Sequence, residues 1–112
     1  MNDILKILKE TGAILNGHFL LSSGLHSDTY FQMAFVFQYP DYGQILCENL
    51  ANDFKEKKVN VVIGPAIGGI IISYELARIL KARSIFAERE EGKMKLRRGF
   101  KIEKGEKVLI CE

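Results

Sequence analysis

The sequence predicts an α/β fold built on a parallel sheet, and three observations carry that expectation. Asn60 to Leu80, NVVIGPAIGGIIISYELARIL, reads as a buried strand, a glycine-rich turn and a helix. The β-branched run Val61-Val62-Ile63 suits a strand covered on both faces, as strands of parallel sheets are. A second apolar segment, Ser84 to Ala87, follows that helix, so the order strand, helix, strand implies a right-handed βαβ unit.

The elements follow in order. Ile4, Leu5, Ile7 and Leu8 give one apolar face, Asn2 or Asp3 can cap it and Gly12 ends it, which describes a short amphipathic helix. His18 to Leu21 and Thr29 to Val36 read as extended runs joined by a polar loop holding Ser22, Ser23, Gly24, His26, Ser27 and Asp28, a hairpin-like flap. His26 could serve as a ligand or base. With no carboxylate or second histidine at metal or triad spacing, a surface or loop-ordering role is favoured, and His18 is less informative still. Tyr30, Phe31 and Phe35 are read as core residues before a ring-stacking platform, because aromatic side chains dominate burial.

After Tyr39-Pro40, Asp41 caps a helix whose apolar positions Tyr42, Ile45, Leu46, Leu50, Ala51 and Phe54 repeat at steps of three and four, ending near Lys57. The helix after Gly69 carries Ile71, Ile72, Leu76, Ala77, Ile79 and Leu80. From Glu88 the composition shifts: EREEGKMKLRRGFKIEKGEK holds eight of the chain's sixteen basic residues, with Gly92 and Gly99 as turns. Charge patterning alone reads this run as a solvated β-hairpin. Phe100 and Ile102 begin a further strand, Gly105 turns it, and Val108 to Cys111 is another buried apolar strand.

Composition narrows the function classes. A chain of 112 residues is one domain, yet small for a complete α/β enzyme. Net charge is only +2 and five glutamates share the basic run, which argues against nucleic acid. Cys47 and Cys111 form no C-x-x-C pair and have no histidine nearby, so metal binding and a disulfide framework are not expected; reduced thiols suit a cytoplasmic protein. The N-terminus has no signal-peptide pattern and no apolar run approaches the roughly 18 residues a bilayer span needs, so a soluble, unexported protein without a membrane partner is expected.

Chemistry is expected at the glycine turn. Gly68 and Gly69 let the backbone approach a ligand, while the following helix directs its free N–H groups and positive dipole end into the same space, a geometry suited to phosphate. GPAIGG is neither a Walker A loop nor the spaced G-x-G-x-x-G of a dinucleotide site. Close packing of helix on strand explains the glycines equally well. A dinucleotide-binding Rossmann domain, with Glu88 about 20 residues on holding a ribose hydroxyl, is a further reading that the glycine spacing disfavours.

Four segments together, GHFLLSSGLHSDTYFQ, GPAIGG, AEREEGKMKLRRGF and GEKVLICE, resemble the orotate phosphoribosyltransferases. The resemblance covers nearly the whole chain. It implies a type I phosphoribosyltransferase fold, a Rossmann-like parallel sheet with flanking helices plus an N-terminal hood, of which only the first part is present. The hood would be residues 1–38 and the core 39–112, with a mobile loop at about 88–98. The activity implied is transfer of 5-phosphoribosyl from phosphoribosyl pyrophosphate (PRPP) to orotate in pyrimidine biosynthesis. Mg2+ would be carried on the donor's pyrophosphate, and a homodimer would share the loop across subunits. Another type I enzyme acting on a purine, or a PRPP-binding regulator without turnover, is the alternative.

The same resemblance assigns roles. Arg89, Lys93 and Lys95 match the mobile-loop cations that face pyrophosphate, with Lys93 the catalytic lysine. Ile67 and Gly68 fall where backbone amides contact the donor, and Tyr30 and Phe31 match the pair whose backbone holds orotate. Many members carry lysines where this chain has Ser22 and Gly68. Val108 to Cys111 supply the strand of the PRPP motif and Glu112 its first acid, after which the second acid and phosphate loop would follow. The 112 residues alone are therefore expected to be an inactive truncation.

Overall fold

A computed structural model describes residues 2–112; Met1 and the Asn2 side chain lie outside the described residues, and with them the Asn2 half of the capping expectation. The chain divides into two compact units, Met1–Gly43 and Gln44–Glu112.

The first unit opens with α1 (Asn2–Glu10), which buries Ile7. Gly12, at φ +75°, ends it: its N–H donates to the Lys9 carbonyl and that of Ala13 to the Leu8 carbonyl, the paired bonds of a Schellman cap. An antiparallel hairpin follows, β1 (Ile14–Leu20) and β2 (His26–Phe31), with a register shift between Asn16 and Phe19. Both strands start earlier than their patterns suggest. Gly24, at φ +89°, and the bonds from Leu21 N–H to Leu25 O and from Gly24 N–H to Leu21 O close the turn tightly, leaving more residues to the ladder.

The extended run expected to reach Val36 stops at Phe31. Gln32 N–H makes a last bond to Ala13 O, and then Phe35 and Val36 donate to the carbonyls of Gln32 and Met33 to form α2 (Ala34–Phe37). Burying Val36 outweighs the strand preference of Phe-Val-Phe, as context commonly does.

Helix α3 (Pro40–Ala51) starts on a proline, whose missing N–H costs nothing at the first helical position. It ends before Lys57; Lys55–Lys57 is a separate 3-10 turn. The second unit holds β3 (Val61–Pro65), α4 (Ile70–Leu80), β4 (Arg83–Glu90), β5 (Lys93–Lys95) and β6 (Val108–Ile110). The sheet order is β5-β4-β3-β6, with β3 parallel to β4 and β6 and β5 antiparallel to β4. Successive residues Val61 and Val62 are both fully buried, so β3 is covered on both faces. Leu76 and Ala77 of α4, Ile85 of β4 and Leu46, Cys47 and Ala51 of α3 complete this core.

No strand begins at Phe100. Arg98 and Gly99 turn the chain at φ +65° and +80°, and the Phe100 ring packs edge-on against Phe86, 5.3 Å between centroids. Side chains then take over backbone groups that a ladder would have satisfied. Arg83 donates to Lys101 O (3.0 Å) and to Glu106 (2.8 Å), and Glu106 accepts from the Glu103 N–H (2.8 Å).

Candidate functional site

Because β3, β4 and β6 run parallel, their C-terminal ends reach one edge of the sheet, where open α/β folds bind ligands. The turn after β3, the β4–β5 hairpin and Glu112 all lie at that edge. Gly64 makes the arrangement compact. A Cβ there would run into Ser73 Oγ and lie 2.5 Å from Gly69 O and 2.9 Å from Cys111 O. The buried Ser73 hydroxyl in turn donates to Cys111 O (3.3 Å), tying α4 to the end of β6.

The glycines divide by role. At Gly69 a Cβ would sit 2.6 Å from Pro65 Cδ, so this residue, like Gly64, is needed for packing. At Gly68 it would meet nothing within 4 Å. Gly68 therefore borders open space. Ala66 N–H donates to Ala87 O and Gly69 N–H to Pro65 O, both at 2.8 Å, and the Ala66–Ile67 peptide is cis. Among the described residues the amides of Ile67 and Gly68 have no backbone partner, and Ile67 is 85% exposed. Two free N–H groups stand at the start of α4, which has no side-chain cap, and such an arrangement favours an anion.

The basic run forms the plain hairpin that charge patterning suggested. Glu91 and Gly92, at φ +52° and +80°, make its two-residue turn, the left-handed pair that matches strand twist. The register pairs Glu88 with Lys95, Arg89 with Met94 and Glu90 with Lys93. Directly opposed residues share a face. Lys93 and Lys95 thus lie on one face and Arg89 on the other, so this hairpin does not converge the three cations expected to face one pyrophosphate. Arg89 donates to Gly92 O (3.0 Å). Arg98 grips Glu88 (Nε to Oε1 2.6 Å) and covers the Phe86 ring at 5.4 Å; Arg97 reaches Glu88 and Glu90, and Lys95 reaches Glu90 at 3.8 Å. The hydrogen bond from Arg98 holds the Glu88 carboxyl below its ordinary value. Lys93 has no ion pair among the described residues.

In the first unit Tyr30, Phe31 and Phe35 are all exposed, which corrects their reading as core residues. Tyr30 lies opposite Leu15 and Phe31 opposite Ile14, at the end of β2 where the ladder closes and little packs over them; the Tyr30 ring stands 5.7 Å from that of Phe19. Ser22 is exposed in the hairpin turn. His26 does have a second histidine at hand: His18 Nε2 lies 2.7 Å from its Nδ1. A strand bulge brings the pair together, and sequence spacing does not reveal it.

The thiols are not nucleophiles. Burial first, then the charge of Glu75, pushes Cys47 up to about 12, and burial raises Cys111. Among the described residues no three His, Cys, Asp or Glu side chains converge to hold a metal ion. No helix of the described residues is long and apolar enough to cross a membrane.

Nearly the whole chain is similar to proteins named orotate phosphoribosyltransferase. It is 60% identical over 108 residues to the one from Caldicellulosiruptor bescii, a match covering 96% of this chain and 57% of that protein. The chain thus spans somewhat over half the length of the curated relatives it matches. The crystal structure of orotate phosphoribosyltransferase from Aeropyrum pernix superposes with a TM-score of 0.66 at 26% identity, over 82% of this chain and 55% of that one. Adenine phosphoribosyltransferase from Saccharomyces cerevisiae shares the fold, with a TM-score of 0.69 at 14% identity over 98% of this chain and 70% of that one. The fold is that of the type I phosphoribosyltransferases, of which the chain covers a part. No family model matches the chain.

Proposed function

We propose that the chain is part of an orotate phosphoribosyltransferase, which transfers 5-phosphoribosyl from PRPP to N1 of orotate and releases pyrophosphate, a step of pyrimidine biosynthesis. The 60% identity to a protein of that name over 108 residues carries the proposal. The geometry supports it with an anion-receptive turn and a cationic hairpin at one edge of the sheet.

Departure of pyrophosphate leaves positive charge on the ribose, so the protein must stabilise the leaving group, orient the base and exclude water, with no covalent nucleophile. The free amides of Ile67 and Gly68 would hold pyrophosphate at the α4 terminus. Lys93, with Arg89 and Lys95, would neutralise it from the hairpin, Lys93 acting as the catalytic lysine. Bringing Arg89 onto the face of Lys93 requires the short ladder to open, a low-cost change for a three-residue exposed strand. Tyr30 and Phe31 would hold orotate through their backbone, and Glu112 would begin the donor's phosphate motif. Mg2+ would arrive on the donor, held by its oxygens and water, and would supply neutralising charge. A cytoplasmic homodimer sharing the hairpin across subunits is part of the same proposal.

The test is pyrophosphate release by the full-length protein with PRPP and each of orotate, adenine, guanine and hypoxanthine. Orotate-dependent turnover is expected. Turnover with a purine alone, or with no base, would overturn the assignment.

A further inference from the structure

We propose that His18 and His26 form a two-imidazole chelating site for a late first-row divalent metal ion, with Cu2+ the strongest binder. They are the chain's only two histidines. Their rings lie with centroids 4.8 Å apart, tilted by 43°, and His18 Nε2 faces His26 Nδ1 at 2.7 Å.

The bulge builds the pair. From Asn16↔Thr29 to Phe19↔Ser27, β1 advances three residues while β2 advances two. Continued without that shift, the register would set His18 opposite Ser27, and His26, one residue on, would point to the other face. The extra residue removes that separation and brings both rings onto one open cleft, lined also by Gly17, Ser27 and Asp28.

In the metal-free form one facing nitrogen donates its proton to the other. If the donor ring moves that proton to its outer nitrogen, two lone pairs face each other with no change in total charge. Metal–imidazole bonds of about 2.0–2.1 Å at a right angle set the two nitrogens about 2.9 Å apart, so the pair admits the ion by opening a few tenths of an ångström and turning both rings until their lone pairs, which now face each other across 2.7 Å, converge on one point. Imidazole suits Cu2+, Ni2+ and Zn2+, with Cu2+ highest in the affinity order. Water would complete the coordination, and the Asp28 carboxylate on the same cleft can accept from it. The thiols, which would otherwise compete for Cu2+, are buried.

The test titrates CuSO4 into tag-free full-length protein, read by calorimetry and electron paramagnetic resonance, beside His18→Gln and His26→Gln. We expect one equivalent of Cu2+ with hyperfine structure from two imidazole nitrogens, and binding weakened at least about a hundredfold in each variant, as loss of one arm of a chelate implies. No uptake by the wild type, a single-imidazole spectrum, or weakening confined to one variant would overturn the site. Where a variant does not fold, as judged by circular dichroism, the wild-type spectrum decides.

Discussion

Replacing Gly64 with alanine adds one methyl group at the point where β3, α4 and the end of β6 meet. That methyl would run into Ser73 Oγ, which could rotate aside only by giving up its bond to Cys111 O. The other two neighbours cannot move alone: the carbonyl oxygens of Gly69 and Cys111, at 2.5 Å and 2.9 Å, belong to the backbone. Ordinary contact would require α4 and β6 to retreat from β3 by the better part of an ångström. Overpacking of a well-filled core costs about 1–3 kcal/mol, and the backbone neighbours and the lost Ser73 bond place Gly64→Ala at about 3 kcal/mol. With a urea m-value of about 1.5 kcal/mol/M, the unfolding midpoint of the full-length protein should fall by about 2 M. Gly68→Ala is the internal control: its methyl meets nothing within 4 Å, so stability should stay within about 0.5 kcal/mol of wild type and the midpoint within about 0.3 M. Equal midpoints for wild type and Gly64→Ala, or a large loss in Gly68→Ala, would refute the division of the glycines into packing and open positions.

Three further outcomes are expected. Lys93→Ala should leave stability within about 0.5 kcal/mol, since no ion pair among the described residues is lost; under the proposed reaction it should lower kcat at least about a hundredfold, and unchanged turnover would reject Lys93 as catalytic. The Glu88 carboxyl is held low by Arg98, so their attraction is present above the ordinary carboxylate value of 4.5 and fades as pH falls through the lower native value. Amide exchange in β5 should accordingly be faster in Arg98→Ala than in wild type at pH 6, with the gap closing in acid; equal protection at pH 6 would show that the pair does not order the hairpin. Cys47, pushed from 9.0 to about 12, should label with a thiol reagent at pH 8 about a thousandfold more slowly than an unperturbed thiol, and at an ordinary rate once denatured, as mapped by mass spectrometry.

Much of the second unit was legible because its signals are local. The β-branched run marked β3, the 3.6-residue period of Ile71 to Leu80 marked α4, and the apolar run Val108 to Cys111 announced β6, although that strand stops at Ile110 and leaves Val108 and Ile110 exposed where a buried strand was expected. The errors fell where a longer-range interaction competes with local preference. Phe35-Val36 looks like strand, yet burying Val36 winds it into α2. Phe100-Lys101-Ile102 looks like the start of a strand, yet Phe86 captures the Phe100 ring and Arg83 captures the Lys101 carbonyl. Tyr30 and Phe31 carry the composition of a core and remain exposed.

For the site, neighbours along the chain suffice to say which residue types gather at the edge of the sheet. A glycine turn opening a helix, a run rich in lysine and arginine, and a strand ending in an acid are patterns of neighbours along the chain, and parallel pairing carries all three to one edge. What each residue does there follows from the folded arrangement. That arrangement separates Gly64 and Gly69, which the fold needs for packing, from Gly68, which it leaves open. It set Arg89 on the face opposite Lys93 and Lys95 through a two-residue turn, and through one extra residue in β1 it joined two histidines eight positions apart. Each of these depends on register and on distances between segments remote in sequence, and a shift of one residue reverses the face of every side chain beyond it.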